Sequence, residues 1–403
     1  MKLSGCAASS VLALALSGIA SAQSSWVATW AAAPVSATGE KIGGAGLTLR
    51  NIVHTSIGGN MVRVTLSNQF GLEPLSIEGV SIAPSIEASS IQSGTARMVL
   101  FGGKSSITLP PGFSVQSDGL DMTVTPMSNL AVSIYLPAQK IARYTQHNLA
   151  RQDNYGQAGN ALMATKFTSS KVISSWRFLT AIDVVAPNAG GAIVAFGDSI
   201  TDGDGSSVNK NMRWPDLLAA RLDRGQETKQ WGVVNEGIAG NRVLHEGAGP
   251  SGLRRWDFDA LNRSGVKYII LLEGINDIGH SSLAKDPASF SPQNIITADQ
   301  LITSYSALIS MAHAKGVKVI GGTLTPYQGS KFDRGEGEII RERVNQFIRT
   351  GGKFDGVIDF DKAIADPAHP LAFLPAYNDS DHLHPNDAGY RAMANSIDIA
   401  LFK

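Results

Sequence analysis

The sequence predicts two regions of different fold class: an all-β sandwich or jelly-roll-like domain, followed by an α/β domain whose parallel sheet is flanked by helices. Short segments rich in β-branched residues, separated by Gly, Pro, Asn and Ser, occupy residues 26 to about 188. From Gly190 onward, continuous apolar runs alternate with amphipathic helical patterns. The chain has 403 residues, which is enough for two domains of ordinary size.

The first 22 residues have the features of a secretory signal peptide. Lys2 precedes an apolar stretch at 11–20, and Ala20-Ser21-Ala22 forms a small-residue cleavage site. The apolar stretch is too short to span a membrane. The LSGC box at 3–6 lies before this stretch, whereas a lipoprotein attachment box would follow it. We therefore expect cleavage after Ala22 and a secreted or periplasmic protein.

Composition argues against several classes of partner and chemistry. The chain has 34 basic and 34 acidic residues and no basic stripe, so neither nucleic acid nor an anionic membrane surface is an expected partner. After the signal peptide, no apolar run is long enough for an integral membrane segment. Cys6 is the only cysteine and would leave with the signal peptide. The mature chain would then have no disulfide, iron–sulfur cluster or thiol nucleophile.

We assign the β domain to residues 23–188, with strands predicted at 61–68, 75–83, 96–102, 105–110, 120–126 and 130–137. Several of these segments alternate apolar and polar residues, as half-buried antiparallel strands do. Trp26 and Trp30 could stack on carbohydrate, but burial as core aromatics is the favoured interpretation. His54 and His147 lack clustered polar partners, so we expect structural roles. The segment 145–162 has little periodicity, which predicts a loop approaching the second domain.

We assign the α/β domain to residues 189–403, with strands predicted at 191–196, 232–235, 266–272, 317–324 and 356–360. Helical patterns with apolar stripes lie between and after these strands, at 214–225, 299–316, 338–352 and 386–402. This alternation predicts a parallel sheet with right-handed crossovers. Ligands bind such sheets at the carboxyl ends of the strands.

The stretch GAIVAFGDSITDGDGS, residues 191–206, joins the first of these strands to a loop rich in Gly and Asp. A phosphate-binding loop would need a Lys after its glycines, and none follows. A calcium loop would need Gly where Ser207 stands and Glu where Arg213 stands. The remaining possibilities are a nucleophilic Ser199 or a turn without chemistry.

A nucleophilic serine requires a base, and the base requires a group that orients it. The stretch NDSDHLHPNDAGY at 378–390 contains Asp381 and His384, three residues apart, before a predicted helix. An irregular turn can bring this carboxylate and imidazole together and leave the second ring nitrogen for Ser199. A polar capping loop without chemistry is the alternative, and His382 shows that a histidine here need not be catalytic.

A tetrahedral intermediate also requires hydrogen-bond donors for its oxyanion. Gly240 lies in NEGIAGN, 235–241, and a glycine there can expose a backbone N–H to a substrate. Asn276 lies in EGIND, 273–277, and its side-chain amide can be a further donor. Each of the two could instead serve only its own turn. Both residues, like Ser199, follow the carboxyl end of a predicted strand.

Four ordered blocks together resemble the SGNH, or GDSL-type, serine esterase and lipase superfamily: GDSITDG at 197–203, NEGIAGN at 235–241, GIND at 274–277 and DHLH at 381–384. The resemblance covers about residues 190–403 and implies a flavodoxin-like, five-stranded SGNH hydrolase fold. The N-terminal half, with LRNIVHTSIGG and LSNQFGLEPLSI, resembles the extra β domain of a secreted two-domain branch. The family lacks the Gly-x-Ser-x-Gly elbow of α/β-hydrolases, as does this sequence.

The resemblance implies a role for each candidate residue. Ser199 would be the nucleophile and first oxyanion amide, and His384 the base. Asp381 would orient His384, and the remaining oxyanion donors would be Gly240 and Asn276. The other carboxylates of the loop are then turn and scaffold residues: Asp198, Asp202 and Asp204.

We therefore expect a secreted serine esterase that uses no metal or organic cofactor. It would hydrolyse oxygen esters through an acyl-enzyme on Ser199, with small-molecule or polysaccharide substrates. Short-acyl or acetyl esters of carbohydrate or small alcohols are the favoured class. The alternatives are a lipase or phospholipase acting on longer acyl chains, a peptidase or thioesterase, and a catalytically inactive carbohydrate-binding protein.

Overall fold

The computed structural model describes residues 26–39, 41–225, 228, 230–285 and 290–402. The predicted signal peptide and Cys6 lie outside these residues. Within the described ranges, no helix has both the length and the apolar character needed to cross a membrane.

The N-terminal half consists of antiparallel strands, as predicted. They are β1 (Trp26–Ala31), β2 (Val35–Thr38), β3 (Lys41–Ile42), β4 (Leu47–His54), β5 (Gly59–Ser67), β6 (Leu75–Ile77), β7 (Gly79–Glu87), β8 (Ser90–Ile91), β9 (Arg97–Val99), β10 (Ile107–Leu109), β11 (Ser114–Gln116), β12 (Leu120–Val124), β13 (Asn129–Leu136), β14 (Gln139–Lys140), β15 (Arg143–His147), β16 (Asn154–Ala158), β17 (Lys171–Ile173), β18 (Trp176–Arg177) and β19 (Leu179–Val185).

Two larger sheets organise this half. One has the order β1-β19-β5-β11, with β12 also paired to β5. The other has the order β17-β16-β4-β13-β7-β8, with β9 paired to β7. The long central pairs keep their register over most of their length; β13 matches β4 from Asn129 opposite His54 to Leu136 opposite Leu47. The antiparallel sheets include a curled half-barrel.

The segment 145–162 is only in part the loop that its weak periodicity predicts, and it does approach the second half, where the Asn209 N–H donates to the Arg151 carbonyl at 2.9 Å. It contains the end of β15 and the whole of β16. Polar residues occupy buried positions in these strands, including Thr145, His147 and Asn154. Their polar groups are satisfied by hydrogen bonds, such as the one that Asn154 Oδ1 accepts from the Ile52 N–H at 2.7 Å. Because inward positions are polar, the usual alternation of strands is absent from the sequence.

The C-terminal half is built on a parallel sheet with helices. Its strands are β20 (Gly191–Gly197), β21 (Trp231–Gly237), β22 (Val266–Leu272), β23 (Lys318–Gly322) and β24 (Gly356–Ile358), followed by the hairpin β25 (Ala365–Asp366) and β26 (His369–Phe373). The α-helices are α1 (Ser199–Asp202), α2 (Trp214–Arg224), α3 (Gly252–Trp256), α4 (Ile275–Ala284), α5 (Ala298–Ala314), α6 (Gly337–Thr350), α7 (Phe360–Ile364) and α8 (Asp387–Ser396).

The parallel sheet has the order β21-β20-β22-β23-β24. When these five strands are numbered in chain order from β20, their order across the sheet is 2-1-3-4-5, the flavodoxin-like order. The predicted fold class is therefore confirmed. The order reverses between β20 and β22, so the crevice beyond these two strands is the switch point where such folds bind ligands.

The predicted helices match the structure except at the C-terminus. α5 begins with a capping box, in which Thr297 and Gln300 exchange side-chain and backbone hydrogen bonds. The helix predicted at 386–402 ends at Ser396, and a 3₁₀ turn follows at Ile399–Phe402. Arg221 donates to the carbonyl groups of Ala394 and Ile397, which satisfies backbone acceptors at this helix end.

The two halves share one apolar core. A continuous cluster of buried residues includes Val27 and Ala28 of β1 together with Val233 of β21. Backbone and side-chain hydrogen bonds cross the junction, from the Ala28 N–H to the Ser264 carbonyl and from the Val233 N–H to Ser56 Oγ, both at 2.9 Å. The halves therefore form an extensive buried interface.

The two tryptophans of β1, Trp26 and Trp30, pack against other side chains of the N-terminal half. Trp30 is buried and packs edge-on against Trp176, with ring centroids 5.0 Å apart. Trp26 is half-buried beneath the Arg63 guanidinium, which lies 4.4 Å from its ring centroid. These contacts agree with the favoured role of core aromatics.

Candidate active site

Ser199 stands at the carboxyl end of β20, at the first residue of α1. Asp198 caps this short helix, because its Oδ1 accepts a hydrogen bond from the Ile200 N–H at 3.0 Å. Gly197 allows the tight strand-to-helix turn. A Cβ at that position would lie 2.1 Å from the Leu272 carbonyl oxygen and 2.4 Å from Thr201 Oγ1. The turn presents Ser199 at the sheet edge with 5% of the residue exposed.

His384 and Asp381 meet Ser199 from the loop before α8. His384 Nε2 lies 2.8 Å from Ser199 Oγ, and His384 Nδ1 lies 2.6 Å from Asp381 Oδ2. The backbone N–H groups of Leu383 and His384 donate to the other carboxylate oxygen, Asp381 Oδ1, each at 2.9 Å. The structure thus brings the three predicted residues into one continuous chain of contacts.

The loop that carries this pair is fixed at both ends. The Asp379 N–H donates to the His384 carbonyl at 2.9 Å, and Asn386 caps α8 through its side-chain oxygen. Ser380 and His382, which flank Asp381, have left-handed φ values of 73° and 59°. Such backbone conformations are uncommon outside glycine and mark a tightly determined loop.

The pKa values of the pair are shifted in opposite directions. Burial lowers the pKa of His384, but the hydrogen bond to Asp381 and the neighbouring carboxylate charges outweigh it, so the net shift is upward. Burial raises the pKa of Asp381, but hydrogen bonds from the His384 ring and from two backbone N–H groups lower it well below its usual range. Asp381 is therefore ionised wherever His384 can act as a base.

Gly240 and Asn276 follow the two strands that flank β20. Gly240 has a φ of 78° in the turn after β21, and Asn276 is the second residue of α4, directly after β22. Asn276 is buried, and its Nδ2 atom has no hydrogen-bond partner among the described residues. A buried amide donor without a partner at a ligand-binding edge is suited to an acceptor that arrives with a substrate.

Two buried side chains, Arg255 and Asp277, hold the loops that follow β20, β21 and β22. Arg255 donates to the carbonyl of Gly197 at 2.8 Å, to the carbonyl of Glu236 at 2.7 Å and to Asn241 Oδ1 at 2.7 Å. It therefore links the ends of β20 and β21 to the residue after Gly240.

Asp277, next to Asn276, accepts from the N–H groups of Val243 and Leu244 at 2.7 and 2.9 Å. This carboxylate ties the start of α4 to the chain that follows the Gly240 turn. Sequence reasoning did not identify either Arg255 or Asp277 as a support. The position of Asp277 within the GIND block was the available signal for it.

The remaining acidic residues of the GDSITDGDGS loop have separate partners. Asp202 Oδ1 lies 2.9 Å from His147 Nε2, so His147 does have a polar partner, contrary to the expectation from sequence. The two residues are far apart in the chain, and no local pattern could have revealed the pair. Asp204 Oδ2 lies 3.9 Å from His384 Nε2, which places a second carboxylate beside the imidazole. Ser206 Oγ donates to the Gly203 carbonyl at 2.6 Å.

Comparison with known proteins identifies the family of the C-terminal half of the chain. Residues 195–392 match the model of the GDSL-like lipase/acylhydrolase family. No curated protein matches the sequence. Solved structures that resemble the chain include an acetylxylan esterase from Geobacillus stearothermophilus, at 20% identity over 52% of this chain and 92% of that chain, with a TM-score of 0.39.

Two further solved structures are similar to the chain at the same level. A GDSL-like lipase from Bacteroides thetaiotaomicron has 18% identity over 52% of this chain and 87% of its own, with a TM-score of 0.37. An alpha/beta hydrolase enzyme from the metagenome of Lake Arreo, Spain, has 21% identity over 53% of this chain and 95% of its own, with a TM-score of 0.39.

The fold and the family match define the protein's class, a carboxylic ester hydrolase. More particularly, the C-terminal half of the chain is a GDSL-like lipase/acylhydrolase domain of the SGNH type, preceded by a β-rich region.

Proposed function

We propose that the protein is an exported serine esterase that hydrolyses oxygen esters through an acyl-enzyme on Ser199. The observation that carries this proposal is the chain of short contacts from Ser199 Oγ to His384 Nε2, at 2.8 Å, and from His384 Nδ1 to Asp381 Oδ2, at 2.6 Å. A serine hydroxyl becomes nucleophilic when a base takes its proton, and the base is effective when a third group fixes its tautomer.

The reaction would proceed in two halves. Ser199 Oγ attacks the ester carbonyl carbon while its proton passes to His384 Nε2, and a tetrahedral intermediate forms. His384 then donates this proton to the departing alcohol as the carbon–oxygen bond breaks. His384 Nε2 then takes a proton from water, whose oxygen attacks the acyl carbon. The bond from that carbon to Ser199 Oγ breaks, Oγ recovers the proton from His384, and the carboxylic acid leaves. Asp381 holds the Nδ1–H throughout and stabilises the imidazolium.

The oxyanion of each intermediate would be held by donors at the ends of neighbouring strands. The backbone N–H groups of Ser199 and Gly240 and the side-chain amide of Asn276 are the proposed donors. The partnerless Nδ2 atom of Asn276 supports this role. Donors fixed before the reaction would stabilise the developing charge without reorganisation.

Polar side chains follow Gly240 and Asn276 along the chain and support a polar alcohol as the leaving group. We call this set the polar rim: Arg242, His245, His280 and Lys331, whose charged members lie close enough to shift the pKa of the histidines. His280 lies one helical turn after Asn276, and its ring centroid is 5.9 Å from that of Phe332. Burial, followed by the Arg242 charge, lowers the pKa of both His245 and His280.

Neutral imidazoles and cationic side chains can exchange hydrogen bonds with hydroxyl groups, whereas a long acyl chain gains by burial against apolar surface. The polar rim therefore supports short-acyl or acetyl esters of carbohydrate or small alcohols as substrates. The alternatives are a lipase or phospholipase acting on longer acyl chains and a catalytically inactive carbohydrate-binding protein.

The test is turnover of p-nitrophenyl esters from acetyl to dodecanoyl by the wild type, Ser199→Ala and His384→Ala. We expect wild-type kcat/KM to be highest for the acetyl ester and both variants to lose activity by roughly 10⁴- to 10⁶-fold. A fluorophosphonate probe should label the wild type and leave Ser199→Ala unlabelled.

Each alternative has its own outcome in this experiment. Rates that rise toward the dodecanoyl ester would favour the lipase. A folded wild type that neither turns over the esters nor reacts with the probe would favour the inactive binding protein. Full activity in Ser199→Ala would refute the proposed nucleophile.

A further inference from the structure

The two carboxylate oxygens of Asp202 connect two parts of the molecule. Asp202 is the last residue of α1, three positions after Ser199. Its Oδ2 accepts a hydrogen bond from the Ala239 N–H at 2.9 Å, and its Oδ1 lies 2.9 Å from His147 Nε2. Ala239 directly precedes Gly240. The carboxylate therefore joins the segment of the proposed nucleophile to the segment of a proposed oxyanion donor.

His147 holds this carboxylate from the antiparallel half of the chain. It lies at the end of β15 with 3% of its surface exposed, and its Nδ1 is 2.9 Å from the Ala33 carbonyl oxygen. The Ala33 carbonyl oxygen, which faces Nδ1, can only accept a hydrogen bond. The Asp202 carboxylate, when ionised, can likewise only accept from Nε2. Both ring nitrogens of His147 therefore carry a hydrogen in this arrangement. Burial lowers the pKa of His147, but Asp202 and the two hydrogen bonds outweigh it, and the net shift is upward.

The imidazole has no freedom to turn away from Asp202. Its two nitrogens are engaged on opposite sides of the ring, and the ring packs against Trp176, with centroids 5.6 Å apart. Rotation would break two hydrogen bonds and leave the buried Asp202 Oδ1 without its histidine partner, which is costly.

The segment on the other side of Asp202 is equally confined. Asn235 Nδ2 donates to the Thr201 carbonyl at 2.7 Å, and the Ile238 N–H donates to the Gly197 carbonyl at 3.0 Å. A Cβ at Gly237 would come within 2.2 Å of the Asp202 nitrogen. The chain from Asn235 to Gly240 thus lies directly against α1. Within this segment, the Asp202 carboxylate holds the Ala239 N–H, directly before Gly240.

We propose that His147 is a positioning residue, supplied by the antiparallel half, that fixes Gly240 relative to Ser199 through Asp202. The inference rests on the proposed esterase function. An oxyanion donor acts on charge that develops in the transition state, so a displaced Gly240 N–H lowers kcat more than it changes KM. The N-terminal half is then a part of the catalytic apparatus and not only an attachment to it.

The test compares His147→Leu, His147→Gln and a matched control, His54→Leu. Leucine removes both donors, whereas the glutamine amide can still donate to Asp202 Oδ1. His54 lies in β4 of the same half and contacts Asn129 Oδ1 at 2.7 Å. It borders the same cavity as His147 and Asp202, but among the described residues its side chain makes no hydrogen bond to α1. The measurements are kcat and KM for p-nitrophenyl acetate, together with the thermal unfolding temperature of each variant.

We expect His147→Leu to lower kcat by about 10- to 100-fold, with KM changed by no more than about threefold. His147→Gln should recover kcat to within about threefold of the wild type, and His54→Leu should not change it. A well-folded His147→Leu with wild-type kcat would overturn the proposal, as would a His147→Gln that is folded yet no more active than His147→Leu.

If His147→Leu does not fold, Asp202→Ala and Asp202→Asn decide the matter. In Asp202→Asn, the amide oxygen can accept from the Ala239 N–H, and the NH₂ group can donate to a neutral His147. We therefore expect Asp202→Asn to retain kcat. Asp202→Ala removes both contacts and should lower kcat. Equal kcat values in the two variants would overturn the proposal. Ser199→Ala, assayed beside them, keeps the two hypotheses apart: its inactivity supports the esterase, and its activity would end both.

Discussion

At the residue scale, two carboxylates act on different nitrogens of His384. Asp381 Oδ2 lies 2.6 Å from Nδ1, the nitrogen that faces away from Ser199, and Asp204 Oδ2 lies 3.9 Å from Nε2. The first contact fixes the tautomer, because the Nδ1–H donates to Asp381 and Nε2 is left to accept from Ser199. The second places a carboxylate beside the imidazolium that would form if Nε2 takes the Ser199 proton as we propose.

Asp381→Asn tests the first of these contacts. Two backbone N–H groups donate to Asp381 Oδ1, so asparagine will keep its oxygen there and turn its NH₂ group toward His384 Nδ1. His384 must then accept at Nδ1 and carry its hydrogen on Nε2, where a base is needed. We expect kcat to fall by up to about 10⁴-fold, the size of the loss measured for this change in another serine hydrolase.

The pH profile follows from the same contact. The active form has neutral His384, and its pKa is raised above the ordinary value, so kcat/KM should fall as the pH drops through a midpoint above about 6.5. The residual activity of Asp381→Asn should have a lower midpoint, because the carboxylate that stabilises the imidazolium is gone. Profiles measured between about pH 5 and pH 9 check this.

His382→Asn is the matched control for both measurements. His382 is exposed, and asparagine tolerates its left-handed φ of 59°. Its backbone N–H donates to Asn378 Oδ1 and does not depend on the side chain. The profile should match that of the wild type; a shift as large as that of Asp381→Asn would mean that the base has been assigned to the wrong histidine.

Sequence reasoning at this scale succeeded where the signal was local. Asp381 and His384 are three residues apart, so one turn can join them, and this pairing was predictable. The contacts of Asp204 with His384 and of His147 with Asp202 join residues that are far apart in the chain. They depend on how whole segments pack, and short-range spacing carries no information about them.

At the element scale, the site depends on three neighbouring strands. β20 lies between β21 and β22, so the loops that carry Ser199, Gly240 and Asn276 leave the sheet side by side. Apolar runs in the sequence predicted these strands well, because strands covered on both faces must be continuously apolar. The helix at the C-terminus was predicted too long, since the sequence pattern does not show that Arg221 occupies its last carbonyl groups.

Asn276→Ala tests the contribution of α4. The Nδ2 atom has no hydrogen-bond partner among the described residues, so removing it breaks no bond of that donor in the free protein. We expect kcat to fall by about 10²- to 10³-fold, with a small effect on KM and on the unfolding temperature. Steady-state kinetics and thermal unfolding measure these quantities.

Asn262→Ala is the corresponding control. Asn262 is exposed, and its side-chain oxygen accepts from Lys315 Nζ at 3.1 Å. Its removal should leave kcat unchanged. If Asn276→Ala retained wild-type kcat, its amide would not be an oxyanion donor.

At the scale of the whole molecule, the sequence predicted two regions but not how they meet. Alternation along a strand shows which face is buried and does not show what covers it. The contact of β1 with β21, the hydrogen bond from Val233 to Ser56 and the pair of His147 and Asp202 all cross the junction. Each requires the relative placement of segments that are distant in sequence, so it became apparent only in the folded chain.

We propose that the protein is exported and that its signal peptide is cleaved after Ala22. The small residues at Ala20 and Ala22 and the preceding apolar stretch fit the requirements of signal peptidase. Amino-terminal sequencing and intact mass of the exported protein should give Gln23 as the first residue and no reactive thiol, since Cys6 is the only cysteine. A retained Cys6 carrying a diacylglyceryl group would instead identify a lipoprotein.

The central place of β20 in its sheet has a consequence for thermal motion. β20 is hydrogen-bonded to β21 over its whole length and to β22 along most of it, and its residues are buried from end to end. We therefore expect twisting of the sheet to move the three strand ends together, so that the separations among the loops they carry vary less than the position of any one loop. The proposed reacting groups would then move with the sheet and keep their mutual alignment.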